Sequence, residues 1–209
     1  MDAGGVVVVG GRSTRMGAPK AWLGWRGSTL LETTCAVLLS AVDGPVLVVR
    51  SPGQSLPPLP ASVEVYEDPQ EGLGPVQGLA VGLRMLADRA DVAFVCSTDL
   101  PFLGVSFVRC VLRELRQNPD SEAVVPVAGG RAHPLAAAYR SSLAGPAEAA
   151  VASGELRLLT FLAARRVRHL GSDELLRDPE VAASDPSLLS VTNVNDQRDY
   201  ARALRVSRG

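Results

Sequence analysis

A run of four valines that ends in paired glycines constrains the fold of this chain more than any other feature of its sequence. Residues 6–9 have the continuous apolar character of a strand buried on both faces, which is typical of parallel sheets. Gly10 and Gly11 follow directly, and because glycine has no Cβ, a ligand can approach their backbone N–H groups closely. Three cations come within the next nine positions: Arg12, Arg15 and Lys20. This combination predicts a strand that ends in a phosphate-binding turn.

Apolar strand patterns alternate with helix-length amphipathic segments along the rest of the chain. Strands are expected at residues 46–49, 63–66, 92–96 and 123–127, with apolar residues at helical spacing between them. Thr29 and Glu32 have the spacing of a capping box, which predicts a helix start. We therefore predict an α/β fold with a mainly parallel sheet, in a single domain over residues 1–209. Residues 141–189 have the weakest pattern and are expected to form an irregular lobe, with helical pieces around residues 144–152 and 156–164 and a strand at residues 167–170.

Two aspartates follow predicted strands in the same way as the glycine turn. Asp68 comes after the strand at residues 63–66, and Asp99 after the strand at residues 92–96. Ligands of open α/β sheets bind at the carboxyl ends of the strands, so all three features should face one crevice. A carboxylate beside phosphates is a natural ligand for Mg²⁺, which makes Asp99 the strongest candidate metal ligand. The alternatives are that Asp99 caps a helix or turn and that Asp68 only starts a turn before proline.

Composition argues against several classes of protein. The 209 residues carry a net charge of −1, so no nucleic-acid partner is expected. No apolar run approaches the roughly twenty residues that span a bilayer, and the early first strand leaves no room for a signal peptide. The three cysteines stand apart from one another, which indicates neither a zinc site nor a disulfide framework. We expect a cytoplasmic protein with reduced thiols and no membrane partner.

The glycine turn and its cations fit the pattern G-G-x-S-x-R-M-G-x-x-K over residues 10–20. This loop resembles the signature of Rossmann-like nucleotidyltransferases, and most of all that of the molybdenum cofactor guanylyltransferase (MobA) family. Residues 98–103 are similar to that family's C-D-M-P-[FY]-[LIV] segment, and residues 72–79 are similar to its G-P-L-x-G-[IL] loop. The resemblance implies a three-layer α/β fold, with helices on both faces of the sheet, like that of nucleotide-diphospho-sugar transferases.

The resemblance also implies a reaction. GMP would pass from GTP to the terminal phosphate of Mo-molybdopterin, with release of pyrophosphate and with Mg²⁺ as the cofactor. GTP and Mo-molybdopterin are then the expected small-molecule partners. Other molybdenum cofactor biosynthesis proteins and apo-molybdoenzymes are further expected partners.

The same resemblance implies a role for each matching residue. Arg15, Lys20 and Asp99 are expected to be catalytic, with Asp99 as the metal ligand. The nucleotide is expected to contact Val8, Val9, Gly10, Gly11, Lys20, Asp68 and Asp99. The second substrate is expected to contact Gly74, Gly78, His133, Asn193 and Asn195.

Two of these substrate-binding assignments have structural alternatives. Asn193 and Asn195 lie two positions apart, so in a strand both amides would face the crevice. The alternative is that Asn195 or Asp196 caps the last helix. A lone histidine such as His133 is more often a hydrogen-bonded structural residue than a ligand contact.

Four further residues bear on the substrate sites. Trp22 and Trp25 are expected to pack beneath the loop rather than to cover a substrate. Val9 replaces a family alanine that borders the base pocket, and its bulk would narrow that pocket. Arg50 stands about where the family has an asparagine after the second strand, so the contact that this asparagine makes in the family is not expected here.

Two other functions compete with guanylyl transfer. One is transfer of CMP to molybdopterin, or of a nucleotide to a sugar or isoprenoid phosphate. Gly10-Gly11 favours guanine, because the resembling cytidylyltransferases usually carry A-A-G at this position. The other is a non-catalytic molybdopterin-binding protein, against which the presence of Lys20, Asp68 and Asp99 together argues.

Overall fold

The computed structural model describes residues 2–10, 19–70 and 72–207. The strands are β1 (Ala3–Val9), β2 (Gly24–Trp25), β3 (Ser28–Thr29), β4 (Val46–Arg50), β5 (Val63–Glu67), β6 (Val92–Ser97), β7 (Ala123–Ala128), β8 (Arg131–Ala132), β9 (Ala136–Arg140) and β10 (Val167–Gly171). The helices are α1 (Leu30–Ala41), α2 (Gly74–Leu86), α3 (Val105–Gln117), α4 (Ala144–Ala152), α5 (Leu158–Ala163), α6 (Ser172–Leu175), α7 (Pro179–Ser184) and α8 (Gln197–Val206). Three short 3₁₀ turns complete the described elements: Lys20–Trp22, Ser141–Leu143 and Leu189–Val191.

The strands form a mostly parallel central sheet in the order β10-β7-β9-β6-β1-β4-β5. Strand β1 lies between β6 and β4 and is parallel to both. Side chains alternate across a strand, so Val7 and Val9 join the core on one face while Val6 and Val8 join the core on the other. Both faces are therefore apolar and covered by helices, which confirms the three-layer α/β prediction.

Each face of the sheet has its own set of helices. Helices α1 and α3 contribute to the core that contains Val7, and α2, α4 and α5 contribute to the core that contains Val6. Helix α1 starts as predicted, because Thr29 and Glu32 form the full reciprocal capping box. The predicted strands at residues 46–49, 63–66, 92–96 and 123–127 are all present as β4 to β7.

Two features of the fold differ from the sequence-based expectation. Strand β9, which the sequence did not predict, runs antiparallel between β6 and β7. Its three alanines and Tyr139 are almost completely buried, and alanine carries no strand signal of its own. Residues 141–189 contain the expected helical pieces and strand, as α4, α5 and β10, but they do not form an irregular lobe. Helix α4 packs on α2, and β10 extends the sheet in parallel with β7.

Within the described ranges, no helix combines the length and the apolar character that crossing a membrane requires.

Candidate active site

A cavity of about 560 Å³ opens where β1, β4, β5 and β6 end. It is lined by Val8, Gly10, Ser51, Asp68, Gly72, Leu73, Gly74, Pro75, Ser97, Asp99 and Leu135. This is the carboxyl edge of the parallel strands, where the sequence predicted that the glycine turn and both aspartates would meet. Gly10 and the two aspartates therefore share one crevice.

Asp99 lies two residues beyond the end of β6 and contacts side chains from three parts of the chain. Its Oδ2 atom forms an ion pair with Lys20 Nζ at 3.0 Å. Its Oδ1 atom accepts hydrogen bonds from Ser97 Oγ and, at 3.1 Å, from Asn193 Nδ2. Both charged side chains are mostly buried, with exposed fractions of 22% for Lys20 and 16% for Asp99. The fold thus brings together a cation, a carboxylate and an amide from the candidate residues.

The segment that precedes α8 also holds the Asp99 backbone in place. The N–H of Val194 donates to the Asp99 carbonyl at 2.8 Å, and the Val194 side chain is buried against Trp25 and Leu30. Residues 193–195 are not a strand, so the expectation that both asparagine amides face the crevice is wrong. Asn193 contacts Asp99, whereas Asn195 is exposed.

Helix capping in this region is performed by Asp196, as one of the two alternatives anticipated. The Asp196 side chain accepts hydrogen bonds from the N–H groups of Arg198 and Asp199, which fixes the start of α8. The Asn195 N–H donates to the Asp199 carboxylate at 3.1 Å. This end of the chain is therefore held by reciprocal capping contacts next to the Asp99 site.

Asp68 follows β5 on the opposite side of the cavity. Its N–H donates to the Arg50 carbonyl at 2.8 Å, which continues the pairing of β4 with β5. Burial raises the pKa of the Asp68 carboxyl to about 6. No donor from the described residues reaches its buried Oδ1 atom. A buried acceptor without a protein donor is suited to accept a hydrogen bond from a ligand.

The two candidate glycines serve different purposes. Gly74 lines the cavity at the first position of α2, has φ of +69°, and a Cβ there would lie 2.7 Å from the Leu156 carbonyl oxygen. Gly78 is one turn further along the helix, where a Cβ would lie 2.6 Å from Val8 Cγ1. Gly78 therefore lets α2 approach β1 closely, and Gly74 lets the helix begin at the cavity wall.

His133 lies in the turn between β8 and β9. Its Nε2 atom lies 3.3 Å from the Ala128 carbonyl, its N–H donates to the Pro126 carbonyl, and burial lowers the pKa of its imidazole. Leu135, two residues later, is the member of this turn that lines the cavity. These contacts make His133 a hydrogen-bonded structural residue, which was the alternative to a substrate contact.

The two tryptophans differ in exposure. Trp25 is buried and packs edge-on against Phe102, with 5.3 Å between the ring centroids, so it is a packing residue rather than a cover for a substrate. Trp22 is 43% exposed, and its Nε1 donates to the Ser55 carbonyl at 3.2 Å. Arg50 does not extend over the cavity, because its guanidinium donates to Gln54 and Glu67.

Several predicted residues lie outside the described part of the chain: Gly11, Arg12, Ser13 and Arg15. Conversely, sequence reasoning did not single out Ser97 or Ser51, both of which line the cavity. The signal for Ser97 was its position two residues before Asp99 at a strand end. The signal for Ser51 was its position directly after β4.

All three cysteine thiols are buried. Burial raises the pKa of the Cys35 and Cys110 thiols to about 12, and it raises that of Cys96 well above its usual range. A thiolate is the nucleophilic form of cysteine, so none of the three is activated for attack at neutral pH.

Comparison with known proteins gives the family. Residues 5–169 match the model of the MobA-like NTP transferase domain. The chain belongs to this family.

A curated relative in Mycobacterium tuberculosis strain H37Rv, named "probable molybdenum cofactor guanylyltransferase", is 41% identical over 157 residues, which is 74% of this chain and 76% of the relative. Among solved structures, the molybdopterin-guanine dinucleotide biosynthesis protein A of Archaeoglobus fulgidus superposes with a TM-score of 0.77 at 21% identity, covering 98% of both chains. The 2-C-methyl-D-erythritol 4-phosphate cytidylyltransferase of Thermus thermophilus superposes with a TM-score of 0.66 at 20% identity and the same coverage. The two structures show that the fold is that of nucleotidyltransferases, and the fold alone does not select the base.

Proposed function

We propose that this protein transfers GMP from GTP to the terminal phosphate of Mo-molybdopterin, forming molybdopterin guanine dinucleotide and pyrophosphate. The observation that carries the proposal is the meeting of Lys20, Asp99 and Asn193 at the edge of the cavity. It occurs in a chain that is 41% identical to a protein named as a molybdenum cofactor guanylyltransferase. We also propose that residues 1–209 act as one domain and in the cytoplasm, where buried cysteines stay reduced.

The reaction requires no protein nucleophile. A phosphate oxygen of the pterin substrate attacks the α-phosphorus of GTP, and the bond from that phosphorus to the bridging oxygen of the β-phosphate breaks in line. Pyrophosphate carries away the electron pair of the broken bond. Positive charge next to the leaving group stabilises the transition state, and Lys20 supplies it from the described residues. We assign a second such charge to Arg15.

The nucleotide would occupy the cavity between β1 and α2. The backbone of Val8, Val9, Gly10 and Gly11 is proposed to border the base, and Asp68 to accept a hydrogen bond from a nucleotide donor. The start of α2 at Gly74 lies at the cavity wall, where free N–H groups of a helix favour anions. Of the residues expected on the pterin side, Asn193 remains the proposed contributor, because it contacts Asp99. The contacts of Gly78, His133 and Asn195 are structural.

The residues at the cavity fit a magnesium ion that substrate phosphates help to hold. Mg²⁺ binds hard oxygen ligands, often one or two carboxylates together with phosphates and waters. Asp99 supplies such a carboxylate, with the Ser97 hydroxyl beside it. The described residues contain no group of three or more His, Cys, Asp or Glu side chains placed to hold a metal by themselves. Bound there, Mg²⁺ would offset negative charge on the phosphates.

Calorimetric titration with GTP, CTP, ATP and UTP, each with and without Mg²⁺, tests the proposal. We expect tight and Mg²⁺-sensitive binding of GTP alone. A preference for CTP would move the function to cytidylyl transfer on the same site. Absence of binding by all four nucleotides, with and without molybdopterin, would favour a non-catalytic role.

A further inference from the structure

Ser97 is the last residue of β6, and its backbone is held by strand pairing and by a hydrogen bond. It lies opposite Val8 in the parallel pairing of β1 with β6. Its N–H donates to the Leu135 carbonyl at 3.2 Å, which ties it to the turn before β9. Its side chain lines the cavity beside Asp99. Ser97 is thus a hydroxyl at the edge of a rigid sheet, next to the reacting phosphates of the proposed reaction.

The hydroxyl of Ser97 donates to one oxygen of the Asp99 carboxylate. That atom, Oδ1, also accepts from Asn193, while Oδ2 pairs with Lys20. The three donors differ in how firmly the fold holds them. Asn193 and Lys20 come from segments without regular strand or helix pairing to β6, whereas Ser97 belongs to β6 itself. Rotation of a carboxylate about its last torsion is otherwise only weakly restricted.

We propose that Ser97 is a positioning residue, whose hydroxyl fixes the direction of the Asp99 carboxylate so that it presents an oxygen to a divalent cation. The inference rests on the proposed function, because it assumes that Asp99 holds the metal. Partners that orient a ligating carboxylate contribute to metal affinity without contacting the substrate. The hydroxyl hydrogen of serine rotates about the Cβ–Oγ bond, so Ser97 can keep donating to Asp99 through small shifts of the carboxylate.

A serine outside the cavity provides the matched control. The Ser28 hydroxyl donates to the Glu32 carboxylate at 2.8 Å next to the start of α1, which is the same kind of contact as that of Ser97 with Asp99. Replacing Ser28 removes a serine hydroxyl from a carboxylate without changing a group at Asp99. The comparison of Ser97 with Ser28 therefore tests the position of the hydroxyl rather than its polarity.

The experiment measures Mn²⁺ binding by the intensity of the free Mn²⁺ signal in electron paramagnetic resonance. Mn²⁺ stands in for Mg²⁺ because both prefer oxygen ligands. The titrations use wild type, Ser97→Ala, Ser97→Thr and Ser28→Ala, each with the non-transferable analogue α,β-methylene-GTP. Binding of the analogue without metal is measured in parallel by calorimetry, and thermal melting checks the fold of each variant.

We expect Ser97→Ala to weaken Mn²⁺ binding by about tenfold or more. Binding of the analogue without metal should stay within about twofold of wild type, since Ser97 acts through Asp99. Ser97→Thr keeps the hydroxyl and should restore most of the Mn²⁺ affinity. Ser28→Ala should leave Mn²⁺ affinity within about twofold of wild type.

The inference is overturned if folded Ser97→Ala binds Mn²⁺ as wild type does. It is also overturned if Ser97→Thr is as weak as Ser97→Ala, or if metal-free binding falls in parallel, since either result would mark a structural role. Failure of the wild type to bind Mn²⁺ with the analogue would instead contradict the metal site of the proposed function.

Discussion

At the scale of single residues, the proposed chemistry depends on a carboxylate that lies beside a cation and is fixed in direction. Asp99 meets both conditions, because Lys20 lies 3.0 Å from Oδ2 while two neutral donors hold Oδ1. In a mostly buried ion pair, the desolvation of both charges offsets much of their attraction, so the value of this pair lies in the site rather than in stability. Replacing Asp99 with asparagine removes the negative charge but keeps the shape of the side chain. The substitution therefore separates the contribution of the charge to catalysis from its contribution to stability.

Asp99→Asn is expected to lower the rate of nucleotidyl transfer by at least about a hundredfold, the scale of losing one electrostatic stabiliser. Stability should fall by about 1–3 kcal/mol, because asparagine keeps an oxygen for Ser97 and Asn193 but removes the carboxylate that faces the mostly buried Lys20. Single-turnover measurements at saturating GTP and Mg²⁺ give the rate, and chemical denaturation gives the stability. Near-normal turnover by the variant would contradict the assignment of Asp99 as metal ligand.

The Asp68 carboxyl lies in an environment that disfavours its charged form, because burial raises its pKa to about 6 from an ordinary value of 3.8. A raised carboxyl pKa means that the folded state prefers the protonated form. Its contribution to stability is complete below about pH 4 and is lost as the pH rises through 6. Asp68→Asn should therefore be more stable than wild type above pH 6, by at most about 3 kcal/mol, and the difference should shrink towards pH 4.

Urea denaturation of the Asp68→Asn variant and of wild type between pH 4 and pH 8 measures this difference. Asp43→Asn provides a control of opposite sign, because the Ala3 N–H holds the pKa of the Asp43 carboxyl below its usual range. The contribution of Asp43 to stability is present above the ordinary pKa of an aspartate, and it disappears as the pH falls through the lowered pKa of Asp43 in the folded state. A pH-independent effect of Asp68→Asn would show that burial does not perturb Asp68.

At the scale of elements, the contact between α2 and β1 sets the shape of the cavity. A Cβ at Gly78 would lie 2.6 Å from Val8 Cγ1, and Val8 is a buried, β-branched residue that cannot move aside. Gly78→Ala should therefore destabilise the protein by about 1–3 kcal/mol, despite the better helix propensity of alanine. Adding Val8→Ala should recover part of the loss, which a double-mutant cycle by chemical denaturation would measure.

Gly145 in α4 is the matched control for this element. A Cβ there would meet only Arg84 Nη2, at 3.9 Å, so Gly145→Ala should be neutral or stabilising by up to about 1 kcal/mol. Equal effects of the two glycine substitutions would contradict the packing account of Gly78.

The elements also show what the sequence could reveal about this fold. Apolar runs such as residues 46–49 predicted strands because a parallel strand is buried on both faces. Strand β9 escaped prediction because its alanines are small enough to fit between two strands without any strand preference. The stretch at 193–195 was wrongly expected to be a strand, because Val194 is fixed by tertiary contacts with Asp99 and Trp25 that no local pattern encodes.

The candidate site was also predictable in part. The positions of Asp68 and Asp99 after predicted strands were enough to predict that both face one crevice. The contact of Asn193 with Asp99 spans 94 positions of sequence, so it depends on how the end of the chain folds back. The signal for Ser97, its position two residues before Asp99, is weak, because a serine at the end of a strand is common and only its contact with Asp99 gives it a role.

At the scale of the whole molecule, the proposed nucleotide site lies at the carboxyl ends of β6, β1, β4 and β5, which form one half of the sheet. Four parallel strands and α2 meet at the cavity, and both cores pack against the same strands. A ligand bound only by the folded state raises stability by about 2.7 kcal/mol at a hundredfold excess over its Kd. For a chain of this size, GTP with Mg²⁺ should raise the Tm by about 5–10 °C.

Differential scanning calorimetry with GTP or CTP, each with Mg²⁺, checks this expectation. The shift with GTP should fall when Mg²⁺ is withheld, and it should be smaller in Asp99→Asn than in wild type. An equal shift with CTP would show that the cavity does not select guanine.

The central claim is tested most directly by turnover. Purified protein is incubated with Mo-molybdopterin, Mg²⁺ and either GTP or CTP labelled at the α-phosphate, and the pterin product and pyrophosphate are quantified. We predict that label from GTP appears in a pterin dinucleotide together with one equivalent of pyrophosphate. Transfer of label from CTP in preference to GTP, or formation of no dinucleotide by protein that binds GTP, would contradict the account.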